Sequence, residues 1–228
     1  MICKFKSATI TAVTGKSYEQ YCGVARALDL VGERWTLLVV RELYGGPKRY
    51  TDLLAGIPGI ATDMLAARLK TLEENEVVAR RVLPPPAAST VYELTELGRG
   101  LEPVLRELGN WGLQLLGKRK GEAFQIHWLA LPVRTMFRPD RASGPPLVVQ
   151  FESGGDAFHA RIANGAIETV TGAHEAPDVV FAGDVETLAR ASKDRSVAED
   201  AVARGKLKMR GNKKDIVRVL EVLGIKKT

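Results

Sequence analysis

Two pairs of basic residues stand where they could bind phosphate groups. Lys48 and Arg49 precede a short predicted helix, and Arg80 and Arg81 lie in a predicted two-stranded hairpin. Ammonium and guanidinium groups bind phosphate oxygens through charge-assisted hydrogen bonds. Because neighbouring residues of a strand face opposite sides, at most one of Arg80 and Arg81 faces a given partner. Each cation alone is explained as a solvated charge, whereas their joint placement favours contacts with a nucleic-acid backbone.

A helix predicted over residues 62–75 lies between these pairs and offers contacts of another kind. Leucines at helical spacing form its buried stripe, namely Leu65, Leu69 and Leu72. Its outer face carries Thr62, Asp63, Ala66, Ala67 and Lys70. In the major groove of DNA, a carboxylate can accept a hydrogen bond from the amino group of cytosine, and an alanine methyl group can pack against the methyl group of thymine. Alternatively, Asp63 only stabilises the positive end of the helix dipole, and the sequence favours neither interpretation.

The elements around this helix follow a defined order. Ser17-Tyr18-Glu19-Gln20 matches a capping box, which predicts that a helix begins there. Thr95 is predicted to cap a long closing helix that runs to about residue 118. The remaining predictions are helices at 35–43 and 51–55, and strands at 77–83 and 90–94. Helices followed by a hairpin and a closing helix are typical of a winged helix-turn-helix domain.

Several motifs in this order resemble the HxlR family of bacterial transcription regulators. They are Cys22, Gly32-x-x-Trp35, Gly46-Pro47-x-Arg49-Tyr50, Arg68-Leu69-x-x-Leu72-Glu73, Tyr92-x-Leu94-Thr95-x-x-Gly98 and Trp111. The resemblance implies a domain that binds palindromic double-stranded DNA as a homodimer. It also implies that the first and last helices build the dimer, which we expect to involve Leu28, Val31, Leu108 and Trp111. The alternative is that the last helix packs only against a second domain.

Cys22 stands where redox-sensing members of this family carry a reactive thiol. Near a helix N-terminus the dipole favours the thiolate, which makes redox activity one hypothesis for this residue. The interpretation that we favour from the sequence is that Cys22 fills a small apolar position in the core.

Two positions depart from the family pattern at the ends of the predicted recognition helix. Ala61 stands where members usually have Ser or Thr, and Glu76 stands where they usually have Gly. We expect the helix cap to pass to Thr62, and Asn75 to adopt the left-handed conformation at the turn into the hairpin.

Length and composition narrow the class of protein. The 228 residues have room for two domains, predicted at 17–118 and 122–228, and the net charge of +6 suits a polyanion partner. Two cysteines cannot form a disulfide framework, and His127, His159 and His174 lack the spacing of metal ligands.

No apolar run is long enough to span a bilayer, so we expect a cytoplasmic protein without membrane contact. The sequence contains no catalytic constellation and no phosphate-binding loop. We therefore expect a protein that is not an enzyme and that holds no cofactor.

The second half alternates strands and helices and is predicted to be an α+β domain with a meander sheet. A helix at 122–137, interrupted by Pro132, precedes the strands, and Asn164-Gly165 marks a tight hairpin. The predicted strands are 147–152, 157–163, 166–171, 178–182 and 206–210. The predicted helices are 184–192, 197–204 and 213–223.

This half resembles the sterol carrier protein type 2 fold. The resemblance rests on the hairpin at Asn164-Gly165, on Pro177-Asp178-Val179-Val180-Phe181, and on the run from Gly205 to Gly211. It implies an apolar tunnel for a small molecule, with Phe151, Phe158, Ile162, Phe181, Leu188, Met209 and Leu220 as candidate lining residues. Core packing is the alternative for each of them. The sequence thus predicts a dimeric DNA-binding transcription regulator that senses an apolar effector. The alternative is a lipid carrier or scaffold whose helix-turn-helix serves protein interaction.

Overall fold

The computed structural model describes residues 17–85, 88–117, 119–191 and 195–225. The chain forms two compact units, of which the first contains residues 17–43 and 47–105, and the second contains 44–46 and the chain from 106 onward. Residues 118 and 192, the predicted ends of two helices, lie outside the described residues. Over the described ranges, no helix combines the length and the apolar character that crossing a bilayer requires.

The chain from residue 17 to residue 113 has the predicted order of helices, hairpin and closing helix, and the closing helix begins in the first unit and ends in the second. The helices are α1 (Gly23–Val31), α2 (Thr36–Leu43), α3 (Tyr50–Gly56), α4 (Thr62–Glu74), α5 (Glu96–Arg99) and α6 (Glu102–Leu113). The strands β1 (Val78–Val82) and β2 (Thr90–Leu94) pair antiparallel, with Val78 opposite Leu94. We call this hairpin the wing. The winged helix-turn-helix predicted from the sequence is confirmed.

The leucine stripe of α4 is buried as its spacing predicts. Leu65, Leu69 and Leu72 are at most 2% exposed, and α4 contacts α2, whose Val39 and Val40 are fully buried. Burying one such side chain contributes about 1.5–3 kcal/mol. This packing directs the opposite face of α4 to solvent.

The start of α1 differs from the prediction. Glu19 has φ +53°, outside the helical range, and the helix begins only at Gly23. The Ser17 hydroxyl accepts a hydrogen bond from the Glu19 N–H (3.1 Å) and donates one to Asp29 (3.0 Å). The prediction of a capping box at Ser17 is therefore wrong, because this hydroxyl closes a local turn instead of capping a helix.

The two departures from the family pattern are resolved differently from our expectation. Ala61 remains the N-cap of α4 without a side-chain cap, so the cap does not pass to Thr62. Asn75 has φ −96°, and Glu76 itself takes the left-handed conformation at φ +56°. The Val77 N–H donates to the Leu72 carbonyl (2.9 Å), and this hydrogen bond closes the turn at the end of α4. The turn needs its left-handed residue at position 76, one residue after Asn75.

The closing helix is capped as predicted but is not continuous. Thr95 Oγ1 accepts from the Gly98 N–H (3.1 Å), which confirms the cap. A short α5 follows, and α6 begins only at Glu102. It ends at Leu113, so the prediction that the closing helix runs to about residue 118 is wrong. A Cβ on Gly98 would collide with the Val77 carbonyl oxygen, so only glycine allows α5 to approach the base of the wing this closely.

The second unit contains one mixed sheet and helices. Its strands are β3 (Leu147–Ser153), β4 (Asp156–Ala163), β5 (Ala166–Thr171), β6 (Val179–Gly183) and β7 (Leu207–Gly211), and its helices are α7 (Ala130–Met136), α8 (Val185–Ala191), α9 (Arg195–Ala203) and α10 (Lys213–Val222). The strand order is β5-β4-β3-β6-β7, with β6 parallel to β3. The α+β class is correct, but only β3, β4 and β5 form a meander. A meander throughout the sheet is therefore a wrong prediction.

Pro132 does not interrupt a helix, contrary to the prediction. A 3₁₀ turn at Ile126–Leu129 leads into α7, and Pro132 lies in the first turn of α7. Backbone N–H groups in a first turn have no partner within the helix, so a proline there costs no hydrogen bond. Residues 122–125 are not helical.

Buried polar side chains hold the connection that carries the chain from β5 to β6. His159 and Gln150 are opposite each other on β4 and β3, and each is 5% exposed. The His159 Nδ1 pairs with the Gly172 carbonyl (2.9 Å), and the Gln150 Oε1 accepts from the His174 N–H (2.6 Å). These side chains satisfy backbone groups of the crossing segment, which secondary structure does not pair.

Candidate nucleic-acid interface and apolar cavity

The outer face of α4 presents the side chains that the sequence assigns to it. Thr62, Asp63, Ala66, Ala67 and Lys70 are all exposed. Lys70 lies 3.8 Å from Glu74 one turn later, an exposed pair that contributes little to stability. Asp63 is exposed in the first turn of α4, a position that suits both a contact with a cytosine amino group and an interaction with the helix dipole. Three of the five side chains are small, those of Thr62, Ala66 and Ala67, which allows close approach of a partner to this face.

Lys48 is placed where it cannot reach a phosphate group. It is 8% exposed, and its Nζ donates to the Glu42 Oε2 at 2.8 Å. Glu42 is fully buried and also accepts from the Arg41 Nη2 at 2.9 Å. Desolvation by burial lowers the pKa of Arg41, and the neighbouring Glu42 charge partly offsets this. Lys48 therefore belongs to a buried ion network.

Sequence reasoning missed Glu42. It lies at the end of the apolar run Leu37-Leu38-Val39-Val40, on the side of α2 that packs into the core. A carboxylate on a buried helical face requires a cation partner, and this was the signal that could have found it.

Arg49 remains at the surface beside the wing. It is exposed, and its Nε donates to the Ser89 Oγ at 3.1 Å. The bond ties the N-terminus of α3 to the start of β2. Its two terminal guanidinium nitrogens form no hydrogen bond with a side chain of the described residues, which suits contact with a phosphate group.

The two wing arginines differ in what they contact. Arg81 forms a bidentate ion pair with Glu93 across the hairpin, with N–O distances of 3.1 and 3.0 Å. Arg80 is exposed and forms no ion pair with the described residues. Strand alternation allows only one of them to face a partner, and Arg80 is the one with an uncommitted guanidinium.

Cys22 is exposed, contrary to the core position that we favoured from the sequence. It is the N-cap residue of α1, with an extended backbone. The backbone N–H groups of Ala25 and Val24 lower the pKa of its thiol below the ordinary value of 9.0. An accessible thiol with a favoured anionic form is chemically reactive.

The helices α1 and α6 each carry exposed apolar side chains. Around α1 these are Tyr21, Val24 and Leu28, and along α6 they are Val104, Leu108 and Trp111, followed by Leu115. Trp111 is 61% exposed, whereas Val31 is 7% exposed within the core of its own unit. Of the four residues expected at a dimer interface, Leu28, Leu108 and Trp111 are therefore available, and Val31 is not.

The second unit contains an apolar cavity of about 320 Å³ that opens to the surface. It is lined by β6, α9, β7 and α10, through Phe181, Ala198, Glu199, Val202, Ala203, Leu207, Met209, Leu220 and Ile225. A second void of about 30 Å³ shares Phe181 and Leu207 with it and extends to Phe151 and Leu188. Hydrophobic lining with few polar groups is typical of a small-molecule site.

The candidate lining residues divide into three groups. Phe181, Met209 and Leu220 line the larger cavity, and Phe151 and Leu188 line the smaller void. Phe158 and Ile162 are at most 1% exposed and line neither. Phe158 instead stacks on Phe151, with ring centroids 4.7 Å apart. Among the described residues, no group of three or more His, Cys, Asp or Glu could hold a metal ion.

Comparison with known proteins places the similarity in the first half of the chain. The model of the HxlR-like helix-turn-helix family matches residues 30–120. The HTH-type transcriptional regulator YodB of Bacillus subtilis is 44% identical over 88 residues, which cover 39% of this chain and 79% of YodB. The HTH-type regulator YvaP of the same organism is 35% identical over 89 residues, which cover 39% of this chain and 82% of YvaP. Among solved structures, reduced YodB is 39% identical with a TM-score of 0.38, over 44% of this chain and all of that one.

Proposed function

Because the chain belongs to the HxlR-like helix-turn-helix family through its first unit, we propose that it is a transcription regulator that binds double-stranded DNA as a homodimer. In this proposal α4 enters the major groove, while Arg49 and Arg80 contact the phosphate backbone. The observation that carries it is the exposed face of α4, with its polar and small side chains opposite a fully buried leucine stripe. Lys48 is left out, because its ammonium group is buried against Glu42.

The dimer in this proposal uses the exposed apolar faces of α1 and α6. Val104, Leu108, Trp111 and Leu115 recur at intervals of three and four residues, the spacing of a helix–helix seam. Large exposed apolar side chains in such a stripe mark a protein interaction surface. A two-fold dimer presents two copies of α4, which matches a palindromic site.

The decisive experiment measures duplex binding by the full chain as a function of salt concentration. A duplex enriched from a random pool by the protein serves as the probe, with a scrambled duplex as its control. Neutralising each phosphate releases counterions, so the logarithm of the affinity should fall linearly with the logarithm of the salt concentration. If the protein binds neither duplex at low salt, the helix-turn-helix has another use, such as protein interaction.

For the second unit we propose a fold like that of sterol carrier protein type 2 and a role in binding an apolar small molecule. Support comes from the strand order β5-β4-β3-β6-β7 and from the open cavity beside Phe181 and Met209. Binding of a ligand to the folded state alone raises stability in proportion to the logarithm of ligand concentration. A ligand in the cavity alters DNA affinity only if it binds more tightly to one of two arrangements of the protein. The coupling free energy between two such sites is typically about 1–3 kcal/mol.

A thermal-shift screen with fluorescent fatty acids, sterols and apolar dyes tests this role. Ala203→Phe should fill the cavity mouth and abolish the shift, since Ala203 lines the cavity and is exposed enough to accept a larger side chain. Ala67→Phe makes the same substitution on the exposed face of α4 and should leave the shift intact. A packed scaffold without a ligand would show no thermal shift with any of these molecules.

A further inference from the structure

The buried carboxylate of Glu42 lies at the junction of three segments in the first unit. It belongs to α2, it accepts from the Lys48 ammonium group at 2.8 Å, and it lies against α3. A Cβ on Gly56 of α3 would come within 2.5 Å of Glu42 Oε2, so glycine is needed for this close packing. Burying an ionised carboxylate is costly unless cations and hydrogen bonds compensate it. Arg41 and Lys48 both supply that compensation.

The backbone of Lys48 forms part of the wing. Its N–H donates to the Tyr92 carbonyl (3.0 Å), and the Tyr92 N–H donates to the Lys48 carbonyl (2.8 Å). This antiparallel bridge adds a third segment to the two-stranded wing. The position of β2 thus depends on the position of Lys48, which the ion pair with Glu42 holds.

A row of residues connects this buried pair with the surface of the wing. Tyr92 is directly opposite Arg80 across β1 and β2, and Lys48 is opposite Tyr92 on its other side. Directly opposite residues in an antiparallel pair have side chains on the same face, about 4.5–5.5 Å apart at Cβ. The row Lys48, Tyr92 and Arg80 therefore runs from the buried Glu42 to the exposed guanidinium.

We propose that Glu42 is a positioning residue for DNA binding, whose ion pair with Lys48 sets the place of the wing and thereby the reach of Arg80. The proposal rests on the DNA binding proposed above. Glu42 and Lys48 touch no DNA in it. They fix the distance between α4 and Arg80, so that both can contact one duplex.

The test is a double-mutant cycle between Glu42 and Arg80, with duplex affinity of the full chain as the readout. Arg80→Ala is introduced into the wild type and into Glu42→Gln, which keeps the shape of the side chain and removes its charge. Residues without a shared partner give additive effects, whereas coupled residues do not. We expect the loss of affinity caused by Arg80→Ala to be at least about threefold smaller in the Glu42→Gln background than in the wild type.

Two further variants separate positioning from simple loss of stability. Glu42→Gln/Lys48→Met removes both charges of the Glu42–Lys48 pair, and it replaces Glu42→Gln in the cycle if that single variant does not fold. Val40→Ala opens a cavity in the same helix, where Val40 is fully buried, and should lower the melting temperature without changing the effect of Arg80→Ala. An equal effect of Arg80→Ala in the wild type and in both Glu42 backgrounds would overturn the positioning role while leaving DNA binding in place. If the wild type binds no duplex, the proposed function fails, and this role fails with it.

Discussion

The thiol of Cys22 stands exposed at the N-cap of α1, where two backbone N–H groups favour its anion. Its chemistry follows from this local position. Because folding lowers the pKa of the thiol, the stability that its thiolate contributes is present above the unfolded pKa, near 9.0, and is lost as pH falls through the folded pKa.

Alkylation kinetics test this position. In a Cys3→Ser background, the rate of Cys22 alkylation by iodoacetamide should follow the thiolate fraction, with a midpoint below 9.0 in the native protein. The same measurement in urea is the control and should give a higher midpoint, because the first turn of α1 is lost. A native midpoint equal to the unfolded one would show that the helix start has no influence on the thiol.

The wing arginines provide a second prediction at the scale of single residues. Arg80→Ala should weaken binding to every duplex and reduce the salt slope by about one unit, as expected for one lost phosphate contact. Arg81→Ala is the matched control on the same strand, because the Arg81 guanidinium is already paired with Glu93. If Arg81→Ala reduced the salt slope more than Arg80→Ala, our assignment of the wing cation would be wrong.

At the scale of elements, the end of α4 combines a tight turn with a residue that is ill suited to it. Glu76 takes φ +56° between α4 and β1, a conformation that costs an ordinary residue about 1–2 kcal/mol. Two hydrogen bonds hold Glu76 in this conformation. The Val77 N–H donates to the Leu72 carbonyl, and the Thr95 Oγ1 donates to the Glu76 carbonyl (2.6 Å). The turn therefore stores strain beside the candidate DNA-binding helix.

A glycine substitution within this turn and one at the end of α4 should have opposite effects on stability. Glu76→Gly should raise the free energy of unfolding by up to about 1 kcal/mol, since the relieved strain exceeds the added chain entropy. Glu74→Gly, inside the last turn of α4, should lower it by about 1 kcal/mol. Urea denaturation of both variants gives the comparison, and a destabilising Glu76→Gly would mean that the turn is not strained.

At the scale of the whole molecule, the proposed dimer and the proposed ligand binding both rest on apolar surface that the single chain leaves uncovered. The apolar side chains of Val104, Leu108, Trp111 and Leu115 form a stripe that is exposed. Leu105 of the same helix, in contrast, is buried and only 6% exposed. A chain with a net charge of +6 repels its own copies at long range, so association requires a short-range apolar contact.

Sedimentation of α6 variants tests the dimer. Leu108→Ala/Trp111→Ala should shift the protein from dimer towards monomer at micromolar concentration, with little change in the stability of the single chain because both side chains are exposed in it. Asn110→Ala lies on the same helix away from the stripe and should leave association unchanged. A wild-type protein that sediments as a monomer would contradict the proposed dimer.

Local patterns in the sequence predicted most elements of both units because their causes are local. The stripe of Leu65, Leu69 and Leu72, the cap at Thr95 and the Asn164-Gly165 turn each depend on residues a few positions apart. Element order along the chain then indicated a winged helix-turn-helix and an α+β second half. The parallel pairing of β6 with β3 was not predictable in this way, because it joins segments about thirty residues apart.

The sequence by itself determined the kinds of element, the outer face of α4 and the family of the first unit, since periodicity, capping and motif order require no knowledge of distant contacts. Only the tertiary structure decided which cations are free to bind a partner. Lys48 and Arg80 are equally basic in the sequence, yet one is buried against Glu42 and the other is exposed on the wing. The physical reason is that the availability of a charge depends on its burial and on its ion-pair partner, and folding brings both from elsewhere in the chain.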